Sequence, residues 1–161
     1  MTGPIVLKLY ASSDQIDTRF IVKLADQYPQ DEAAQAGRSP ISGKPDIGGM
    51  QPAFTNVSKG WLKASHREKD AGRSTALRPF YTHANPQPLT PGEIYEFDIE
   101  VLPVSYVFRQ GHRIRLEIAN GDSPLTDAVF THPYHPTLIG TDTIHHNAVH
   151  ASRILLPVVS G

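Results

Sequence analysis

The sequence contains no cysteine, so disulfides, thiolate nucleophiles and zinc–thiolate centres are all excluded. That absence favours a reducing compartment, and a cytoplasmic location is the expectation it carries. Long apolar runs are missing too: nothing approaches the ~20 consecutive residues that span a bilayer. The opening MTGPIVLKLY lacks the basic region and apolar stretch of a signal peptide, so no membrane partner is expected. Nor is there charge of one sign to spare. The 15 basic and 16 acidic side chains leave a formal charge of −1, which is no footprint for a nucleic acid. Helical patterns are scarce, and 14 prolines and 12 glycines punctuate short alternating runs, the composition of an all-β sandwich. At 161 residues the chain reads as a single domain, able to bury roughly 70% of its unfolded surface without covalent help.

What is present is organised around Pro91–Pro124. Tyr95, Phe97, Ile99 and Val101 alternate with Glu96, Asp98 and Glu100, the period-two pattern of a half-buried strand. Ile114, Leu116 and Ile118 then alternate with Arg113, Arg115 and Glu117. If the two strands are neighbours, the acidic row of one can pair with the basic row of the other, at roughly 0.2–1 kcal/mol per contact. Pro103, without an N–H, is read as ending the first strand, and Gly111 as the flexible point before the second. The connector SYVFRQ keeps a Tyr, a Val and a Phe to close one end of a core.

Taken in order, Ile5–Tyr10 is a strand that begins almost at residue 1, which suggests a piece of a longer protein. Phe20–Ala25, apolar on both faces, reads as a central strand. Residues 28–59 form a long inserted loop rich in Gly, Pro, Ser and Gln, beyond the 12–15 residues that compact domains usually tolerate. PAFTNV at its far end should re-enter the sheet. In GWLKASHRE, Trp61, Lys63 and Ser65 alternate with Leu62, Ala64 and His66. Trp61, the only Trp, is read as a core or edge aromatic ahead of a ligand-stacking platform. Residues 67–93 carry Pro79, Pro86, Pro88 and Pro91, a surface strap. TIHHNAV and SRILLPVV close the chain as two strand pieces, bringing the count to roughly eight.

Residue chemistry offers four candidate sites, each with a plainer alternative. His132, His135, His145, His146 and His150 place five imidazoles within nineteen residues, enough for zinc or nickel if a loop gathers them. On a strand, however, His145 and His146 point to opposite faces, so no metal and no cofactor is expected. Ser12, Ser13, Asp14 and Asp17 are too poor in charge and spacing for calcium. Arg109, Arg113, Arg115 and Arg153 read as a solvated face balanced by Glu96, Glu100 and Glu117, and the Asn56-Val57-Ser58 glycosylation pattern is discounted as common by chance.

Three blocks carry a resemblance: GPIVLKLYASSDQIDTRFIVKLAD, YVFRQGHRIRLEIANGDSP and TIHHNAVHASRILLPV. In order and over about Gly3 to Val159, they resemble the C-terminal β domain of the cocaine esterase and X-Pro dipeptidyl-peptidase family of serine hydrolases. The resemblance implies a jelly-roll β sandwich, similar to galactose-binding modules, packed against an α/β-hydrolase domain that holds the catalytic residues. It marks Trp61, Phe108, Gly111, His112, Arg113, His145, His146, His150, Ser152 and Arg153 as structural signature positions. It puts Asp17 and Asp26 in a paired-acid pattern that Arg19 interrupts, and Ala151 where a proline is usual. Pro52 and Phe54 are implied to lie nearest the substrate entrance. No G-x-S-x-G occurs, so the nucleophile elbow of such an enzyme is absent and no catalytic residue is expected. The expected role is therefore structural, with the hydrolase domain of the same protein as partner and a homo-oligomer as an option. A carbohydrate-binding module, using Trp61, Tyr81, Tyr106 and Tyr134, and a free-standing interaction domain are the alternatives.

Overall fold

In the computed structural model, residues 1–29, 54–122 and 139–159 are described. Of the stretch 28–59, residues 30–53 lie outside them, Pro52 included, and so do His132, Tyr134 and His135. The described residues form seven strands: β1 (Thr2–Ser13), β2 (Arg19–Gln27), β3 (Phe54–Lys63), β4 (Tyr95–Ser105), β5 (Arg113–Ala119), β6 (Asp142–His145) and β7 (Arg153–Leu155). The expected all-β class holds, with seven strands among the described residues where roughly eight were expected. They share one sheet in the order β5-β2-β3-β4-β1-β6, with β7 also pairing β1. β6 and β7 occupy successive stretches of one edge, against Tyr10–Ser13 and Val6–Lys8.

The sheet curls like a half-barrel, and one residue makes the fold-over possible. β3 and β4 touch through the single pair Gly60↔Val101. A Cβ on Gly60 would lie 2.0 Å from the Glu100 carbonyl oxygen, so only glycine lets the two backbones approach this closely. On either side of that joint, β5-β2-β3 and β4-β1 face each other across the core. Phe20 and Phe97 meet there with ring centroids 5.1 Å apart. Ile5, Leu7 and Leu9 of β1, Val22 and Leu24 of β2 and Ile99 and Val101 of β4 complete the interior. Each such side chain contributes roughly 1.5–3 kcal/mol by leaving water. β2 is central, as its two apolar faces implied, pairing β3 on one side and β5 on the other.

Several expectations fail for reasons of topology. β4 and β5, consecutive in sequence, are separated by β2 and β3, so their acidic and basic rows cannot pair. The acids find other partners. Asp98 accepts from Lys8 Nζ of β1 at 2.6 Å and from Lys69 of the strap, while Glu96 accepts from Tyr10 Oη at 2.6 Å. Burial works against ionisation of Asp98, but Lys69 and Lys8 outweigh it and hold its carboxyl below the usual range. Pro103 does not end β4, which runs to Ser105; β4 itself carries the extra residue of a bulge there, Leu102 and Pro103 standing opposite the single Pro4 between the pairs Gly3↔Val104 and Ile5↔Val101, and a bulge is where a strand tolerates proline. Ser65 and His66 do not continue β3. They belong to a 3₁₀ turn, Ala64–His66, capped by Asp17, which accepts from Ser65 N and Oγ at 2.9 Å each. Trp61 is 48% exposed, on the outer face opposite Ile21, so it is no core aromatic. Arg153, on β7, sits at the far edge of the sheet from Arg113 and Arg115 on β5, so the four arginines do not share the one solvated face expected of them.

The candidate functional site at the His112 end

Where β2 and β4 finish and β3 and β5 begin, four strand termini converge. Asp26 is the penultimate residue of β2 and 2% exposed. Tyr106, just past β4, donates its hydroxyl to Asp26 Oδ2 at 2.9 Å. His112, just before β5, sets Nδ1 at 2.9 Å from both Oδ1 and Oδ2, and its side chain is only 4% exposed. Burial, then the bond to Asp26, pushes the Tyr106 phenol above its ordinary range, so it stays protonated and keeps donating.

Local sequence explains how His112 arrives there. Its N–H bonds to the Arg109 carbonyl at 3.1 Å, and Gly111, third of the four residues, has φ +87°. That is the signature of a type II turn, which requires positive φ at its third position. Aromatic packing holds the turn: Tyr106 and Phe108 meet edge to face at 5.0 Å, and Tyr28 presents its edge to the imidazole at 5.5 Å. Tyr28 also hydrogen-bonds Thr55. Outside this packing, Gln27, Tyr28, Pro29, Gly111 and Arg113 line a recess of about 550 Å³. Phe54 lies beside it under the Arg115 guanidinium, 4.4 Å from ring centroid to Cζ.

The opposite end carries a second carboxylate-centred network. Asp142 of β6 accepts from Thr18 Oγ1 at 2.6 Å and from the Asn120 amide, so β6 is tied to the entry of β2 and the exit of β5. At the β1 edge, Ser152 accepts from Tyr10 N at 3.0 Å and donates to the His145 carbonyl at 2.7 Å. Ser12 Oγ lies 2.9 Å from His145 Nε2.

The chemistry open to these groups is narrow. His112 and Asp26 have the geometry of the orienting half of a triad, but the imidazole is buried beneath Tyr28 and cannot meet a substrate. Ser12 and His145 supply a hydroxyl and an imidazole, yet among the described residues no carboxylate bonds His145 Nδ1. No group of three His, Cys, Asp or Glu positioned for a metal occurs among the described residues either. Asp14 instead accepts from Thr141 N at 2.9 Å, and Asp17 caps the 3₁₀ turn. Of the sugar-platform aromatics, Tyr81 and Tyr106 direct their hydroxyls to the Asp98 carbonyl and to Asp26.

The signature positions thus divide. Phe108, Gly111, His112 and Arg113 gather at one end, beside the entrance residue Phe54; His145, His146, His150, Ser152 and Arg153 lie on the β6–β7 segment along the far edge; Trp61 stands on an outer face between them. Tyr28 escaped the sequence reading, and so did the bond that ties Tyr106 to Asp26, because the partners lie 27 and 80 residues away. A signal for Asp26 did exist, an acid that closes the apolar run of β2 and that the resemblance marks with Asp17.

Comparison with known proteins agrees with this layout. A profile described as the X-Pro dipeptidyl-peptidase C-terminal non-catalytic domain matches residues 1–155. A Mycobacterium bovis protein with a provisional serine-esterase name is 31% identical over 99% of this chain, and the cocaine esterase of a Rhodococcus species is 25% identical over 99%. The chain spans only 22% and 23% of those two proteins. Among solved structures, a CocE/NonD family hydrolase from Staphylococcus aureus superposes with a TM-score of 0.69 at 20% identity, over 99% of this chain and 28% of that one. An aminopeptidase from a marine sediment archaeon superposes at 0.67 with 21% identity, over 99% and 23%. At that identity the two structures speak for the fold.

Proposed function

The chain belongs to the family of X-Pro dipeptidyl-peptidase C-terminal non-catalytic domains, and from that premise we propose that it packs against the α/β-hydrolase domain of a larger serine hydrolase. That enzyme would cleave esters or X-Pro amides with a nucleophile supplied outside this chain. The observation that carries the reading is coverage: a domain matched almost end to end fills under a quarter of the serine-esterase relatives. The docking surface is the His112 end, where Phe54 and the recess beside Arg113 would help shape the substrate entrance, together with Pro52. Val107, at 79% exposure, and Ile114, at 49%, supply apolar contact there. The rigidity of the Asp26 network suits a surface that must hold its shape against a partner.

The test mixes this chain with a cocaine-esterase-type hydrolase lacking its own C-terminal domain and follows amide hydrogen exchange. Protection at Tyr28, Phe54 and Gly111–Arg113, with none in the β6–β7 segment, is expected. Protection confined to that segment would move the interface, and no association at all would remove the packing proposal. Self-association is a separate arm: sedimentation should show whether the same end mediates a homo-oligomer when no hydrolase is present.

A further inference from the structure

Away from both ends, the strap between β3 and β4 brings two histidines together. His66 closes the 3₁₀ turn and His83 lies on the returning arm of the strap, and their Nδ1 atoms are 3.2 Å apart. Their rings are 5.4 Å apart between centroids and tilted by 43°. At this separation at most one of the two nitrogens can carry a proton, so at least one lone pair points at the other ring.

That distance also matches two imidazoles sharing one ion. With metal–nitrogen bonds of roughly 2.1 Å, cis ligands sit about 3.4 Å apart at a tetrahedral angle and about 3.0 Å apart at a right angle. We propose that His66 and His83 form an exposed two-imidazole site for a divalent transition-metal ion of the zinc, nickel or copper class, with water completing the shell. Imidazole pairs suit these ions, and among the described residues no group of three His, Cys, Asp or Glu forms a cage for a harder cation.

The backbone holds both ligands in place before any ion arrives. Ser65, next to His66, is tied to Asp17 through N and Oγ, and its carbonyl accepts from Gln87 N at 2.7 Å. On the other side Thr82 N bonds the Glu68 carbonyl at 3.1 Å, and Thr82 Oγ1 bonds Glu68 Oε2 at 2.8 Å. His83 itself adopts φ +53° and is the one non-glycine residue with positive φ among the described residues. Histidine tolerates that region better than most residues, but glycine adopts it freely. An ion bound here would staple the strap to the turn that ends β3. It would not touch the His112 end, and its binding is independent of any docking there.

Zinc chloride titration tests it, followed by calorimetry and by the thermal midpoint of the 161-residue chain. The midpoint should rise by about 3–5 °C at a zinc concentration roughly tenfold above the dissociation constant. His83→Gly and His66→Gln should each abolish that rise. Because the backbone at position 83 favours glycine, His83→Gly should fold with an unchanged or higher zinc-free midpoint, which separates a lost ligand from a damaged fold. A wild-type chain with no zinc-dependent rise overturns the site. So does a rise that survives in either variant, which would place the ion on other histidines.

Discussion

The two ends of the curled sheet are each closed by a carboxylate, and they are built differently. Asp26 is sealed from water and bonded by an imidazole and a phenol. Asp142 is partly exposed and bonded by a hydroxyl and an amide. Both networks cross between the two layers of the curled sheet, so both resist the layers sliding apart. The comparison teaches that the sealed carboxylate, paired with an imidazole and a phenol, sits at the end that carries Phe108, Gly111, His112 and Arg113, and the partly exposed one, paired with a hydroxyl and an amide, at the end where loops turn. A buried charge is expensive to leave unpaired, which makes the His112 end all-or-none, whereas the Asp142 end can fray.

The largest expected effect breaks both ends at once by forcing apart the joint between the layers. Gly60→Ala drives a methyl into the Glu100 carbonyl and should cost more than about 4 kcal/mol or prevent folding, read by urea denaturation. Asp26→Ala comes next. It leaves His112 and Tyr106 without their buried partner and should cost roughly 3 kcal/mol. Asp142→Ala, whose partners can turn to water, should cost about 1 kcal/mol; equal losses at the two sites would erase the distinction between the ends. Acid should single out a third carboxylate, midway between them. Asp98 has a lowered folded pKa, so its contribution is present at neutral pH and is lost as pH falls through that value. The gap in thermal midpoint between wild type and Asp98→Asn should therefore be widest near pH 7 and close below about pH 4. Tyr106→Phe is the smallest change, about 1 kcal/mol, since His112 still satisfies Asp26.

How far these ends could be read beforehand depended on whether a feature was local. Alternation in Phe20–Ala25 and in Tyr95–Val101 was enough to identify β2 and β4, because the period of a strand lies in its own residues. Which strand lies beside which is decided by contacts far apart in sequence. The opposed rows of β4 and β5 therefore suggested a pairing that β2 and β3 prevent. Pro103 misled for a related reason, since the bulge that accommodates it is defined only by the register of β4 against β1, a strand far earlier in the chain. Gly111 and His112 were legible as a motif, because a turn with a positive-φ glycine is local. The partner that gives His112 its role, Asp26, lies 86 residues upstream. By residue type Trp61 reads as a core or edge aromatic, but its place opposite Ile21 on an outer face comes from pairing. His66 and His83 gave no sign at all, because a proline-punctuated strap has no period to reveal which residues its two arms bring together.

The central claim is that this chain lends shape to hydrolysis and performs none itself. Incubating the purified chain with p-nitrophenyl esters and X-Pro p-nitroanilides tests it directly, and no release above the buffer rate is predicted. Turnover by the wild-type chain that disappears in Ser12→Ala or His145→Ala would contradict the account, because that hydroxyl and imidazole would then form an active site rather than a bond between β1 and β6.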